Sequence, residues 1–246
     1  MANENTINKL IEMRLSTLAV TYRDQGKDSD FLSMDFDERL STLVDAEWDA
    51  RRINRRTRLL RTADFSIREA NIADVRYDAD RKLERAKIEE LARCNWIRDA
   101  LNVIITGSTG AGKSWLSCAL GVCACNNFYS VRYARLPQLL DSLAVAKATD
   151  SFAKWQKRYT KCDLLIIDDW LLVKLTEQEA REVLEIIEAR HGVKSTLLSS
   201  QYSPGGWHVK LGEGAIADAV IDRLVHSSHI IHIEGEESMR KRTSRL

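Results

Sequence analysis

The chain has 246 residues, of which 44% are hydrophobic, and its 37 Lys and Arg nearly cancel 36 Asp and Glu. That is enough apolar material for one sizeable core and a smaller appended unit, and a formal net charge of +1 leaves only the distribution of charge to point to a polyanionic partner. No apolar run approaches the roughly 18 residues that cross a bilayer, no leader-like segment opens the chain, and the five cysteines (Cys94, Cys118, Cys123, Cys125, Cys162) form no CxxC pair. These features exclude a membrane span, a zinc ribbon and a disulfide scaffold, and they predict a cytoplasmic protein with buried thiols.

Ile7, Leu10, Ile11, Leu15, Leu18 and Tyr22 recur at three- and four-residue intervals and predict an amphipathic helical start. A break at Gly26 to Asp30 separates it from a second helical run over 35–61. Residues 1–50 hold five Lys and Arg against eleven Asp and Glu, whereas residues 51–61, RRINRRTRLLR, hold six arginines. Local pairing absorbs part of this excess, because Glu47 reaches Arg51 at i+4 and Asp49 reaches Arg52 at i+3. Arg55, Arg56 and Arg58 have no acid three or four positions away. Arg51, Arg55 and Arg58 share one helix face. With Arg56 they are candidate contacts to duplex phosphates, a grip that is salt-dependent and indifferent to base sequence. Bridges to acids elsewhere in the fold are the alternative.

Residues 63–100 read as further helix with many charges. From Leu101 the pattern changes to short β-rich runs at 102–106, 130–134, 163–168, 195–199 and 229–233, with helices between them. That alternation predicts an α/β fold with a five-stranded parallel sheet sandwiched by helices. The expected organisation is an all-α domain over 1–65 for DNA binding or oligomerisation, a helical linker over 66–100 and an α/β domain over 101–246.

The first β run leads directly into GSTGAGKS, residues 107–114, and then a helix, which is the strand–loop–helix setting of a phosphate-binding loop. Gly107, Gly110 and Gly112 let backbone N–H groups converge on an anion, in a loop completed by Ser108, Thr109, Ala111 and Trp115. Lys113 reaches the β- and γ-phosphates of ATP, and the Ser114 hydroxyl ligates Mg²⁺. The third run, LLIIDD, ends in Asp168 and Asp169 at the edge where open α/β sheets bind ligands. Asp168 is the expected metal ligand and Asp169 the carboxylate that orients attacking water.

The fourth run ends in Ser200 and Gln201, either of which is placed to sense the γ-phosphate. Arg223, near the end of an amphipathic helix, is either a finger into a neighbouring subunit's site or half of an ion pair with Asp222 or Asp218. Arg240 follows the last strand, as a returning phosphate contact or as part of a basic tail. Between the second and third strands, SFAKWQKRYTK interleaves Lys154, Lys157, Arg158 and Lys161 with Phe152, Trp155 and Tyr159. The ring spacing predicts a packed helix face and assigns phosphate contact to Lys154, Lys157 and Arg158.

Several stretches together resemble a known family. Phe36-Asp-Glu-Arg-Leu-Ser-Thr-Leu-Val-Asp-Ala-Glu-Trp48, the phosphate loop, Leu165-Ile-Ile-Asp-Asp-Trp170, Ile216-Ala-Asp-Ala-Val-Ile-Asp-Arg-Leu-Val-His226 and Glu237-Ser-Met-Arg240 look like the IstB-like helper ATPases of bacterial insertion sequences. These are AAA+ ATPases of the DnaA/DnaC initiator and helicase-loader group. The resemblance implies a homo-oligomer that hydrolyses ATP on double-stranded DNA, delivers that DNA to a transposase and stimulates it, in association with the bacterial nucleoid. It also implies Gln201 as first sensor, Arg223 as an arginine finger acting in trans and Arg240 as second sensor. Leu171 departs from the pattern, which calls for glycine after Asp-Asp-Trp. Only thirteen residues follow Ile233, too few for a C-terminal helical lid. A DnaC-like helicase loader and a non-hydrolysing nucleotide-gated DNA clamp are the rival readings.

Overall fold

The computed structural model describes residues 3–27, 29–235 and 238–239. The chain divides into two compact units, Met1–Arg58 and Leu59–Leu246. The first holds α1 (Glu4–Glu12), α2 (Ser16–Asp24), α3 (Ser29–Ser33) and most of α4 (Phe36–Ala63). Asn3 caps α1 by accepting the Asn5 N–H at 3.0 Å. Ile7, Ala19 and Leu43 are buried in this small unit.

The N-terminus of α2 is capped from α4. Glu47 accepts the Thr17 and Leu18 N–H groups at 3.0 and 3.1 Å on one oxygen and Arg51 Nε at 2.7 Å on the other. Burial opposes the charge, but the Arg51 and backbone hydrogen bonds together outweigh it and hold the carboxyl below its ordinary value. Arg51 also donates to the Arg14 carbonyl at 2.8 Å. This arginine, expected to grip phosphate, is engaged within its own unit, because an acid one turn earlier and an open carbonyl both face it. Arg55, Arg56 and Arg58 are exposed.

The second unit is built on a five-stranded parallel sheet of order β2-β3-β4-β1-β5. Its strands are β1 (Asn102–Gly107), β2 (Val131–Arg135), β3 (Leu164–Trp170), β4 (Ser195–Ser200) and β5 (Ser228–Ile233). Its helices are α5 (Arg85–Ala92), α6 (Asn95–Arg98), α7 (Lys113–Asn126), α8 (Leu136–Ala148), α9 (Phe152–Tyr159), α10 (Glu177–Glu188), α11 (Trp207–Lys210) and α12 (Gly214–Val225). Alternate strand residues feed two cores. Val103, Ile105, Tyr133, Ile166 and Leu197 face one that includes Leu116 and Leu120 of α7. Ile104, Ala134, Leu165, Ile167 and Leu198 face the other, with Leu143, Val183 and Val220. A sheet covered on both sides has apolar residues throughout its strands, and each fully buried Ile or Leu stabilises by about 1.5–3 kcal/mol.

The continuous helix expected over 63–100 is absent, and the residues of the proposed 66–100 linker belong to the sheet-containing unit. Asp64, with φ +65°, ends α4. The chain then crosses one core as an irregular strap with short 3₁₀ turns until α5 begins at Arg85. Its apolar side chains, Phe65, Ile67, Ala70, Ile72, Val75 and Tyr77, all meet that core. Their spacing alternates between two and three residues, which fits neither helix nor strand, and intervening charges disguise the pattern. Gly121 lies in mid-helix on α7 because a Cβ there would sit 2.5 Å from the Phe65 ring and 2.8 Å from Ile166. The last turn of α4 contributes Leu59, Leu60 and Ala63 to the same core. The division between units therefore falls before Leu59 and not at 65.

Candidate functional site

The phosphate loop joins the C-terminal end of β1, the second strand from one edge of the sheet, to α7. Gly110 and Gly112 hold φ values of +81° and +93°, the left-handed backbone that glycine adopts without strain in the tight loop. Its outward carbonyls are tied down. Arg81, a buried side chain of the strap, donates to Ala111 O at 3.0 Å, and the Met239 N–H donates to Gly110 O at 2.9 Å. Lys113 Nζ donates to the Gly107 and Ser108 carbonyls at 2.9 Å each. Desolvation pushes this ammonium below its ordinary value, against the pull of Asp168 and Asp169. Ser108 and Thr109 are exposed, and Trp115 packs against the core beneath the loop.

In a regular strand, neighbouring side chains point to opposite faces, so two adjacent acids cannot both attend one ligand. β3 is not regular there. Ile167 is level with Leu198 and Trp170 with Ser200, so β3 carries one extra residue between them. Asp169 takes φ +52°. The charge of both carboxylates favours the protonated form of Lys113. Asp168 is buried; its Oδ1 accepts the Asp169 N–H at 3.0 Å and its Oδ2 accepts the Tyr133 hydroxyl at 2.7 Å. Asp169 Oδ2 accepts Arg135 Nε at 2.5 Å, and this pairing raises the arginine's affinity for its proton. Leu171 also lies in the left-handed region, at φ +54°, with its side chain fully buried. The position is one that glycine fills without strain, and burial of the leucine offsets the conformational cost.

The Ser200 hydroxyl donates to Trp170 O at 3.1 Å and accepts the Tyr202 N–H and Trp207 Nε1. It is a structural pin. Gln201, the next residue, is exposed at the same sheet edge, between the phosphate-loop strand and the strand bearing the acids. Arg223 lies elsewhere. Its carbonyl accepts Asn102 Nδ2 at 3.4 Å, at the first residue of β1. Five strand residues, about 16 Å, separate that end from the phosphate loop, so Arg223 does not serve its own loop. Its guanidinium donates to Glu188 at 2.7 Å and to Ala219 O at 3.0 Å. The sequence alternatives Asp222 and Asp218 pair with His226 and His208. Arg240 lies outside the described residues.

On α9, Trp155 and Tyr159 are buried, and Phe152 stacks on Trp155 with ring centroids 6.5 Å apart. Lys154 and Lys157 are exposed. Arg158 is shared with Asp64 at 3.5 Å. Cys94, Cys118, Cys125 and Cys162 are buried and Cys123 is half-buried, all as free thiols. Among the described residues, no helix is long and apolar enough to cross a membrane.

Three side chains of the site are not evident from sequence alone: Arg81, Tyr133 and Arg135. The one signal for the last two is the alternation Val131, Tyr133, Arg135 along one strand face, which leads a phenol and then a guanidinium toward the ligand edge. The donor set suits a hard divalent cation. Asp168 retains an unshared lone pair on each oxygen, and the Ser114 hydroxyl makes no hydrogen bond among the described residues. With the N–H groups of the loop and Lys113, the arrangement fits a nucleoside triphosphate with its metal.

Comparison with known proteins agrees with this reading. Residues 8–246 match the family model described as IstB-like ATP binding protein. The chain is 38% identical over 235 residues to the insertion sequence ATP-binding protein y4pL of Sinorhizobium fredii, covering 96% of both. It is also 38% identical over 201 residues to the IS1162 ATP-binding protein of Pseudomonas fluorescens, covering 82% of this chain and 87% of that one. The fold is that of the DnaA/DnaC AAA+ proteins. The DnaC helicase loader superposes with a TM-score of 0.56 at 18% identity, over 67% of this chain and 97% of that one. AMPPCP-bound DnaA from Aquifex aeolicus superposes with a TM-score of 0.60 at 20% identity, over 74% and 57%. A phosphate loop, an acid-tipped neighbouring strand and a match spanning nearly the whole chain lead to one assignment: the chain belongs to the IstB-like ATP-binding protein family.

Proposed function

We propose that this protein is an ATP-hydrolysing, DNA-binding regulator of transposition, which assembles on double-stranded DNA and delivers it to the transposase of its insertion sequence. The observation that carries the catalytic half is the acid pair Asp168 and Asp169 at the bulged end of β3, whose charge favours the protonated form of Lys113 in the phosphate loop. A magnesium ion held by Ser114 and Asp168 would, when bound, offset negative charge on the reacting phosphates. The chain's own residues do the rest. Lys113 exchanges the Gly107 and Ser108 carbonyls for the β- and γ-phosphates, and Asp169 orients the attacking water and accepts its proton. Gln201 hydrogen-bonds the γ-phosphate. Arg223 completes a neighbouring subunit's site, in keeping with its distance from its own loop, and Arg240 acts as second sensor.

Arg55, Arg56 and Arg58, with Lys154, Lys157 and Arg158, contact the duplex through its phosphates. The insertion-sequence names of the relatives favour a transposase over a replicative helicase as partner. Phosphate release by the wild type, Lys113→Ala and Asp169→Ala, with and without DNA, tests the chemistry. Both variants should lose release, and only Lys113→Ala should lose nucleotide. Undiminished release by Asp169→Ala would reduce the protein to a nucleotide-gated clamp. Co-purification with a replicative helicase in place of the transposase would make it a loader.

A further inference from the structure

The Asp168 carboxylate is held by two donors on its two oxygens, and one of them is a side chain that the proposed chemistry does not use. Tyr133 lies on β2, level with Ile166, and its hydroxyl reaches toward the ligand edge to donate to Asp168 Oδ2 at 2.7 Å. Around it the core face is apolar, with Val131, Leu164 and Ile166 as neighbours on the same two strands. A buried phenol in such surroundings requires a partner for its hydroxyl. β2 and β3 are therefore joined by one buried side-chain hydrogen bond that ends on Asp168.

A carboxylate rotates broadly about its terminal torsion unless it is held. With one donor on each oxygen, its plane is fixed and one lone pair on each oxygen remains for a cation. Groups that hydrogen-bond a metal-ligating side chain typically change metal affinity by 10–100-fold when removed. We propose that Tyr133 is the positioning residue for the metal-binding carboxylate. This rests on the reading of Asp168 as the metal ligand.

The test is binding, independent of turnover. Affinity for a fluorescent ATP analogue is measured with and without Mg²⁺, and Mn²⁺ affinity of the nucleotide complex is read by electron paramagnetic resonance, for the wild type, Tyr133→Phe and Asp168→Asn. Tyr133→Phe should weaken metal binding at least tenfold while leaving metal-free nucleotide affinity and thermal unfolding near wild type. Unchanged metal affinity in Tyr133→Phe, with Asp168→Asn defective, overturns the role of Tyr133 alone. So does an equal loss of metal-free nucleotide affinity, which marks a general structural role. Unchanged metal affinity in Asp168→Asn overturns the reading of the site itself.

Discussion

The guanidinium of Arg223 is held 2.7 Å from the Glu188 carboxylate, at the end of β1 opposite the phosphate loop. Arg223→Ala should bind nucleotide normally yet lose hydrolysis in the assembled state by about 10³-fold or more. Mixing it with Lys113→Ala subunits should restore part of the rate, because each supplies what the other lacks. Failure of mixed subunits to exceed either alone would rule out action in trans. The Glu188 pair is half-exposed and worth about 0–1 kcal/mol. Glu188→Gln should therefore shift the subunit concentration needed for hydrolysis by no more than about fivefold.

Arg135 and Asp169 form a second pair, at 2.5 Å, between the last residue of β2 and the acid proposed to orient water. While that bond stands, the carboxylate is drawn away from its task. Arg135→Ala should raise DNA-independent phosphate release about threefold to tenfold, with nucleotide affinity within twofold. Asp169→Asn should lower release by about 10²–10⁴-fold. Single-turnover assays separate these effects from product release.

Leu171 sets a backbone preference against burial. A left-handed L-residue costs about 1–2 kcal/mol, whereas truncating a buried leucine to alanine costs about 2–5 kcal/mol. Leu171→Ala keeps the strain and loses the packing. Leu171→Gly loses the packing and relieves the strain. Both should destabilise, with the glycine variant the more stable of the two, which inverts the usual order. Urea unfolding measures the ranking.

Glu47 gives the N-terminal unit a defined acid limit. Its carboxyl lies below the ordinary value of 4.5 in the folded protein. A carboxyl depressed by folding contributes stability above its unfolded value, and that contribution is lost as pH falls through the folded value. Glu47→Gln should therefore be less stable than wild type at pH 7, and the gap should close on acidification below about pH 4.5. A gap that is constant with pH would assign the effect to packing.

Arg55, Arg56 and Arg58 carry the proposed phosphate grip. Replacing all three by alanine should weaken DNA binding and reduce the slope of log affinity against log salt by about 2.7, roughly 0.9 for each phosphate no longer neutralised. Nucleotide binding should not change. An unaltered slope would make the stretch an ordinary solvated helix face.

Much of the sheet-bearing unit is legible in the sequence, because buried parallel strands are short apolar runs and the phosphate loop is a contiguous motif. Each of the five strands lies within a residue or two of its expected position. Side chains that converge from different strands are harder to read. Tyr133 and Asp168 are 35 positions apart, and Arg135 and Asp169 are 34 apart. Only strand order and register bring them together. Asp168 and Asp169 announce two carboxylates, but the extra residue that breaks the regular register of β3 there leaves no compositional trace. The strap over 64–84 reads as helix in error because its alternating two- and three-residue rhythm belongs to no regular element. Arg51 shows the complementary limit: the Glu47 contact is visible at i+4, and the Arg14 carbonyl that completes its engagement is not.

If Arg223 completes a neighbouring subunit's site, as proposed, its placement bears on the symmetry of the assembly. Where each subunit gives its arginine to one neighbour and receives one from another, the contact joins two different surfaces and is heterologous. Repeated, such a contact closes into a ring or winds into an open filament. In a filament the two terminal subunits are unequal: one has a phosphate site without a donor, the other a donor without a site. Growth and loss at the two ends would then respond differently to nucleotide, giving a polarity to the assembly.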